Sequence, residues 1–306
     1  TRRSSDLEKN MAEAEVLKRQ AEKRTHAVSI LLVERQGQHV GVFFDQHPDI
    51  FDSYNAVLAA TEYSLVTTKA ARNVIKRRAK FLSLPLSTNN GQSMLTFDFL
   101  KMDVKKSKLT AEVIMKYLKS SSRIQIKTDA GTDLTLMKRG RMPGFFNGVT
   151  ADGGGFSSAS IEVYIPVEEC GTNGTMVIDG SLGYIGAARE DTRVVFKEGR
   201  IVEIEETPTG KRLKEYMEGY HDSGIYVAGE LGIGLNSYSQ CAGRCYIEDE
   251  SAYGTFHIGL GRNIALGGTH EANGHFDLVA REPNLFADNR QLIQQGRIII
   301  PEPVFF

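Results

Sequence analysis

Ionisable residues interrupt three glycine-rich, apolar segments in the last third of the chain. Glu230 lies in AGELGIG and His257 in GTFHIGLG. His275 and Asp277 lie in GHFDL. Such segments are typical of buried strands and tight turns, where burying several ionisable groups is costly unless opposite charge neutralises them. A divalent cation does so better than any side chain in these segments, so we predict a metal site in the C-terminal half.

Composition limits the class of protein and its partners. The chain has 306 residues, which predicts two domains, and 37 basic against 38 acidic residues give a net charge of −1. This balance predicts neither nucleic acid nor a membrane surface as a partner. Three cysteines favour a reducing compartment, and no apolar run reaches the roughly 20 residues that span a bilayer. We therefore predict a cytoplasmic protein.

The first part of the chain alternates helix-like and strand-like segments. Helical patterns cover residues 6–24, 49–60, 67–78 and 109–118, the third opened by a threonine cap, and strand patterns cover residues 27–33, 63–66 and 80–84. This rhythm predicts parallel βαβ units in a small Rossmann-like domain over residues 1–122. The chain begins with Thr, and no strand comes before its first helix, so we expect a first β-strand ahead of this sequence.

Residues 123–306 have a different pattern. Short alternating segments separated by Gly, Asp or Asn predict strands at residues 123–128, 134–138, 160–165, 175–178, 193–197 and 200–205, and one helix is predicted at residues 211–217. The predicted fold class is therefore α/β plus mainly antiparallel β. A Rossmann-like N-terminal domain precedes a glycine-rich α+β domain that carries the metal site.

The candidate metal ligands are three glutamates, two histidines and one aspartate: Glu162, Glu230, Glu250, His257, His275 and Asp277. His275 and Asp277 alternate around one residue, so both side chains point to the same face of a strand. Taken singly, other interpretations stay open: a carboxylate that caps backbone amides, a surface acid or a hydrogen-bonded core histidine. Together the six are sufficient for two metal ions about 3.5–4 Å apart.

The glycine-rich stretches and the cysteine pair give weaker evidence of function. The glycine-rich stretches at residues 153–155 and 229–234 lack the lysine and the strand-to-helix setting of phosphate loops, which argues against nucleotide binding. Cys241 and Cys245 are spaced so that they could bind a metal ion, but without a second pair they are more simply two inert thiols.

The chain resembles the aminopeptidase T / aminopeptidase S family of dimetal metallopeptidases, most specifically in AGELGIGLN, DESAYGTFHIGLG and GHFDL. The resemblance covers most of the chain and implies that the six candidates stand where that family has its metal ligands. It also implies a homodimer. Where the family has a tyrosine thought to assist catalysis, this chain has Arg262-Asn263-Ile264, and its N-terminal domain and the loop between His257 and His275 are shorter.

The chain is also similar to the 2,5-dihydroxypyridine ring-cleaving dioxygenases, which use this scaffold with one Fe(II) held by two histidines and an aspartate. His275 and Asp277 match that pattern. The other histidine of those enzymes aligns with Glu230, and an apolar residue aligns with His257, so this chain keeps the peptidase-like residues at both positions. A triad of His257, His275 and Asp277 is the alternative.

The leading hypothesis is a metal-dependent hydrolase of the aminopeptidase type, a protease that cleaves a peptide or small amide with two zinc, cobalt or manganese ions. The metals would lower the pKa of a bridging water to about 7. Glu162 or Glu230 would carry the proton to the leaving amine, and Arg262, with Asn263, would stabilise the oxyanion. The substrate would be a small molecule or short peptide.

Two other hypotheses remain. A mononuclear Fe(II) dioxygenase would open a dihydroxypyridine-like aromatic ring and would need only one carboxylate ligand. A non-catalytic binding or assembly protein would keep the metal as a structural staple. The three glutamates favour the hydrolase, because they suit two divalent ions.

Overall fold

The computed structural model describes residues 2–33, 41–151 and 156–300, so the glycines at 153–155 lie outside the described residues. Six α-helices lie in these ranges: α1 (Arg2–Ala21), α2 (Gly41–Gln46), α3 (Lys69–Lys76), α4 (Val104–Ser120), α5 (Pro208–Glu218) and α6 (Tyr246–Ser251). None of them is long and apolar enough to cross a membrane.

The described ranges contain sixteen strands: β1 (Ala56–Thr61), β2 (Lys80–Pro85), β3 (Arg123–Lys127), β4 (Asp133–Met137), β5 (Gly144–Phe146), β6 (Phe156–Ser158), β7 (Glu162–Pro166), β8 (Asn173–Ile178), β9 (Thr192–Lys197), β10 (Arg200–Ile204), β11 (Ala228–Gly234), β12 (Thr255–Gly261), β13 (His275–Arg281), β14 (Asn284–Ala287), β15 (Arg290–Gln294) and β16 (Arg297–Ile298).

These strands form three sheets. A parallel sheet has the order β1-β2-β6. Two antiparallel sheets have the orders β10-β9-β8-β4-β3-β14-β15-β16 and β13-β12-β11-β7-β5. The predicted fold class, α/β followed by mainly antiparallel β, is confirmed.

The parallel sheet contains the βαβ unit that the sequence predicts. Strand β1 pairs with β2 in parallel, and α3 connects them. The Thr68 hydroxyl caps α3 by accepting a hydrogen bond from the Ala71 amide at 3.3 Å. Helices α2 and α3 and this sheet enclose a small core that includes Phe44, Val74 and Phe81.

Three of the predicted N-terminal elements are wrong. Residues 27–33 do not form a strand, and Leu31 and Leu32 are half exposed rather than buried on two faces. Residues 49–60 do not form one helix, because pairing with β2 places Ala56–Thr61 in the parallel sheet and overrides its local helix preference.

The predicted strand at residues 63–66 is absent because side chains take its backbone donors. The Ser64 amide donates to the Tyr184 hydroxyl, and the Leu65 amide donates to Ser83 Oγ. With its amides used in this way, the segment becomes a loop between β1 and α3. That loop lies at the cleft described below.

The larger core lies between the two antiparallel sheets and receives helices α4 and α5. From α4 it takes Ala111, Ile114 and Leu118, all fully buried. Strand β6, from beyond residue 122, pairs with β2. The division into residues 1–122 and 123–306 stays a prediction. Residues from both parts pair in the parallel sheet and pack in the larger core.

Candidate metal centre

The five-stranded sheet has two chemically different faces. Leu231 and Ile233 of β11, like Phe256 and Ile258 of β12, point into the larger core. Side chains alternate between the faces of a strand, so the residues between them point the other way. That opposite face carries most of the candidates, at these positions: Glu162 on β7, Glu230 on β11, His257 on β12, and His275 and Asp277 on β13. The apolar alternation on one face thus places the ionisable residues together on the other.

Two glycines leave room for the side chains to converge. Gly259 of β12 lies between Glu230 of β11 and Asp277 of β13 in the strand register. A Cβ atom on Gly259 would lie 2.7 Å from His275 Cε1 and 2.9 Å from Asp277 Oδ1. Gly232 pairs with His257, and a Cβ atom there would lie 1.9 Å from His257 Nε2. Any larger residue would occupy the space of the site.

His275 is at the centre of one group of candidate ligands. Its Nε2 atom lies 3.2 Å from Glu230 Oε2 and 3.4 Å from Asp277 Oδ1. The other ring nitrogen, Nδ1, lies 2.9 Å from the Arg262 carbonyl oxygen, which accepts its proton. This contact fixes the tautomer that leaves Nε2 free to bind a metal ion.

His257 belongs to a second group. Its Nε2 atom lies 3.0 Å from Glu162 Oε2 and 3.9 Å from Asp277 Oδ1. The other carboxylate oxygen of Glu162 accepts a hydrogen bond from Ser160 Oγ at 2.7 Å. Within the described residues, one ligand atom from each of Glu162, Glu230 and His257 lies within 4.8 Å of the others, and the same holds for Glu230, His275 and Asp277.

Buried atoms without hydrogen-bond partners indicate that the site accepts a cation. In the described part of the chain, Glu162 Oε2, His257 Nδ1 and Asp277 Oδ1 have no well-aligned partner. Glu230 and Glu250 are buried beside them, each 3% exposed. Buried polar atoms are normally satisfied, so this concentration is consistent with a divalent ion that the carboxylates would bind.

The protonation states of the isolated protein support the same conclusion. Burial raises the pKa of Glu230 above its usual range, although the neighbouring His275 opposes this shift. Burial lowers the pKa of His257, but the carboxylates of Glu162 and Asp277 outweigh it and raise the value to about 9. For Asp277, burial is outweighed by the two imidazoles, which lower its pKa. In the metal-free protein, bound protons neutralise the charge of the carboxylates, as a metal ion would. Binding of a metal ion would release these protons.

Two of the predicted site residues lie apart from these groups. Glu250, on α6, is buried and lines the same cleft, and burial raises its pKa well above the usual range, but it belongs to neither ligand group. The Arg262 guanidinium lies 2.5 Å from Asp45 Oδ2, and its Nε atom donates to the Ala272 carbonyl. Both residues therefore flank the candidate metal site.

The cleft beside the metal groups has aromatic lining that the sequence analysis missed. Tyr63, Tyr184 and Tyr246 line it, with Phe146 and Tyr220. The Tyr184 and Tyr246 rings stack at 4.1 Å between centroids, and the Tyr246 hydroxyl donates to Asp277 Oδ2. These tyrosines come from loops and short helices without a periodic pattern, and only their aromatic character could have indicated them.

Comparison with known proteins identifies similar sequences. The family model described as "NicX: 2,5-dihydroxypyridine 5,6-dioxygenase" matches residues 91–300. The 2,5-dihydroxypyridine 5,6-dioxygenase of Pseudomonas putida is 24% identical over 214 residues, which cover 65% of this chain and 60% of that protein. The chain thus spans about 60% of the length of the curated relative it matches.

One solved structure shows the same architecture. The 2,5-dihydroxypyridine dioxygenase of Pseudomonas putida KT2440 superposes with a TM-score of 0.71 at 17% identity, over 90% of this chain and 82% of that one. At this identity the likeness shows the fold alone. Wild-type AmpT from Thermus thermophilus gives a TM-score of 0.48 at 18% identity, over 64% of this chain and 55% of that one.

The family match overturns the leading functional hypothesis. The expectation of an aminopeptidase-type hydrolase is wrong, and with it the protease assignment, because the matched family is described as a dioxygenase. The oxyanion role of Arg262 was part of that hydrolysis and is not retained, while the place of Arg262 among the site residues stays a prediction. The site holds three glutamates, but acid count alone does not distinguish the two reactions, since buried carboxylates also serve as bases and anchors. The matched family does not support the expectation that the cofactor is a pair of zinc, cobalt or manganese ions.

Proposed function

The chain belongs to the 2,5-dihydroxypyridine 5,6-dioxygenase family, and from this premise we propose that it is a metal-dependent dioxygenase acting on a dihydroxylated aromatic heterocycle. The proposed cofactor is one Fe(II) ion. The substrate is part of the proposal, because the chain covers only 60% of its curated relative. 2,5-Dihydroxypyridine is the first compound to test.

The observation that carries the proposal is the convergence of Glu230, His275 and Asp277. Oxygen atoms from both carboxylates lie within 3.4 Å of His275 Nε2, and the opposite ring nitrogen is already held by a backbone carbonyl. Imidazole and carboxylate ligands on one side of a metal ion, with open positions on the other, are typical of non-haem iron oxygenases. These three residues would hold the iron.

The proposed group has one histidine where the usual iron triad has two, so His257 is the competing third ligand. Its Nε2 atom lies farther from Asp277 Oδ1, at 3.9 Å, and its Nδ1 atom has no partner in the described part of the chain. Histidines that bind metals almost always donate their second ring nitrogen to a carboxylate, carbonyl or water. His275 has such a contact with the Arg262 carbonyl, and its Nε2 atom lies closer to Asp277 Oδ1 than that of His257 does, so we take His275 as the ligand and assign His257 another role.

That role is proton transfer. Bound iron supplies the chemistry that makes dioxygen reactive towards an aromatic ring. A dihydroxylated ring binds a cation better after it loses a hydroxyl proton, so the site needs a base. His257 and Glu162 share a 3.0 Å contact beside the proposed iron site, and Ser160 orients the carboxylate. The pair is placed to accept and hold the proton.

The lining of the cleft suits a flat aromatic substrate. The stacked pair of Tyr184 and Tyr246 lies on one side, with Tyr63 packed edge-on against Tyr184 at 4.6 Å. Aromatic faces and edges bind planar rings by stacking and T-shaped contacts. The side chains of Ser64 and Asn273 add polar groups to the same lining.

Substrate-dependent oxygen uptake tests the proposal. The protein would be loaded anaerobically with one equivalent of Fe(II) and mixed with 2,5-dihydroxypyridine in air-saturated buffer, and both oxygen consumption and loss of substrate absorbance would be followed. We expect one oxygen consumed per substrate. His275→Ala should abolish uptake and iron binding, whereas His26→Ala, at an exposed histidine, should leave both unchanged.

Three results would count against the proposal or against its ligand set. Substrate loss without oxygen consumption would exclude a dioxygenase. Full iron binding by His275→Ala would exclude the proposed ligand group. A loss of iron in His257→Ala but not in Glu230→Ala would make His257 the third iron ligand in place of Glu230.

A further inference from the structure

The two oxygens of the Asp277 carboxylate have different surroundings. Oδ2 accepts a hydrogen bond from the Tyr246 hydroxyl. Oδ1 has no well-aligned partner in the described ranges and lies 3.4 Å from His275 Nε2. The residue is 1% exposed, so bulk water does not satisfy Oδ1. The difference marks Oδ1 as the atom available to a cation and Oδ2 as the anchored atom.

Tyr246 is held firmly enough to act as that anchor. It is the first residue of α6, is 6% exposed, and stacks on Tyr184 with ring planes 28° apart. The hydroxyl of Tyr184 is fixed in turn, because it accepts a hydrogen bond from the Ser64 amide at 3.0 Å. Each of the two phenols thus has its own partner, and only that of Tyr246 contacts a proposed metal ligand.

A hydrogen bond to one carboxylate oxygen changes how the group binds a metal ion. A free carboxylate can use both oxygens and occupy two coordination positions. A phenol that donates to one oxygen draws charge from it and fixes the orientation of the other. Binding through one oxygen leaves positions open for substrate and dioxygen, which the proposed reaction requires.

We propose that Tyr246 is a positioning residue that holds Asp277 as a one-oxygen ligand, with Oδ1 directed at the metal ion. This inference rests on the proposed function, since it takes Glu230, His275 and Asp277 as the metal site. It assigns a role to a residue on α6, an element that supplies none of the proposed ligands.

The matched variants Tyr246→Phe and Tyr184→Phe test it. Each removes one phenolic oxygen from the same stacked pair and keeps both rings. The Fe(II) dissociation constant would be measured anaerobically, and the visible spectrum of the Co(II)-loaded protein would report the coordination number. Tyr246→Phe should weaken Fe(II) binding about 10- to 100-fold, the range typical of lost partners of metal ligands, and shift the Co(II) spectrum towards higher coordination. Tyr184→Phe should change neither.

Three results would overturn the inference. Unchanged affinity and spectrum in Tyr246→Phe would mean that the phenol does not position Asp277. Equal losses in both variants would reduce the effect to packing of the tyrosine pair. Failure of the unmodified protein to bind Fe(II) or Co(II) would overturn the proposed function as well, so the two failures are distinguishable. Near-ultraviolet circular dichroism would verify that both variants keep the native aromatic packing.

Discussion

Gly232→Ala is the change that best separates the two groups in the site. Gly232 lies opposite His257 in the strand register, and no positive φ prevents alanine there. The new methyl carbon would lie 1.9 Å from His257 Nε2 and 2.0 Å from Cε1. The substitution therefore acts on the imidazole of His257 and leaves the surroundings of His275 unchanged.

The size of the effect follows from these distances. Moving the imidazole out to ordinary contact, at least 3.4 Å, requires a shift of about 1.5 Å. A shift of this size breaks the 3.0 Å contact with Glu162. Overpacking of this kind costs about 1–3 kcal/mol of unfolding free energy. A displacement of about 1 Å in a reacting group lowers turnover by about 100-fold.

Turnover, iron content and denaturant unfolding would be measured for Gly232→Ala, His257→Ala and the double variant. We expect Gly232→Ala to keep one iron per chain while turnover falls about 100-fold. In the double variant the methyl group meets no imidazole, so the two destabilisations should not add, and the coupling energy should be about 1–3 kcal/mol.

Additive destabilisation in the double variant would refute the predicted clash. Loss of iron in Gly232→Ala would refute the assignment of His257 to proton transfer, because the ring would then be needed as a ligand.

Three further predictions address neighbouring residues. Gly259→Ala places a methyl group 2.7 Å from His275 Cε1 and 2.9 Å from Asp277 Oδ1. Metal analysis should therefore find an iron content reduced at least tenfold, and full iron occupancy would contradict the proposed ligand group. Glu162→Gln removes the charge beside His257, so kcat should fall about 100-fold with iron retained, and an unchanged kcat would exclude the proposed base. Burial raises the pKa of Asp249 from 3.8 to about 7, so the folded protein favours the protonated carboxyl group. The contribution of this group to the free energy of unfolding is complete below pH about 4 and is lost as the pH rises to 7. Between pH 5 and pH 8, urea unfolding should therefore show a smaller loss of unfolding free energy for Asp249→Asn than for the wild type, by a few kcal/mol. Equal losses in the two proteins would contradict this.

Much of the site could be predicted from the sequence because its strands alternate between core-facing and site-facing residues. In β11, β12 and β13, the apolar neighbours of Glu230, His257, His275 and Asp277 face the core, which places these four residues on a shared face. Their roles stay proposals, but the structure brings the side chains together.

The predictions that failed depend on tertiary contacts that no local pattern encodes. The Ala- and Leu-containing segment at 56–61 becomes a strand only because β2 lies beside it. Residues 27–33 have a strand-like composition but stay outside every sheet. The contact of Tyr246 with Asp277 joins residues 31 positions apart on different elements, so neither the anchor nor the aromatic lining was accessible from spacing.

The reaction hypothesis failed for another reason. Buried carboxylates and histidines indicate a metal site, but the same residues serve hydrolysis and oxygen chemistry. Three glutamates favoured two metal ions in the sequence analysis. In the structure Glu250 belongs to neither ligand group, and Glu162 lies against His257. The family match, and not the ligand count, is what rules out the hydrolase expectation.

The most direct test of the central claim is mass spectrometry of the product formed from 2,5-dihydroxypyridine under ¹⁸O-labelled dioxygen. The iron-loaded protein should give a ring-opened product that contains two labelled oxygen atoms per molecule. A product whose new oxygen comes from the solvent water, with no label from dioxygen, would contradict the account.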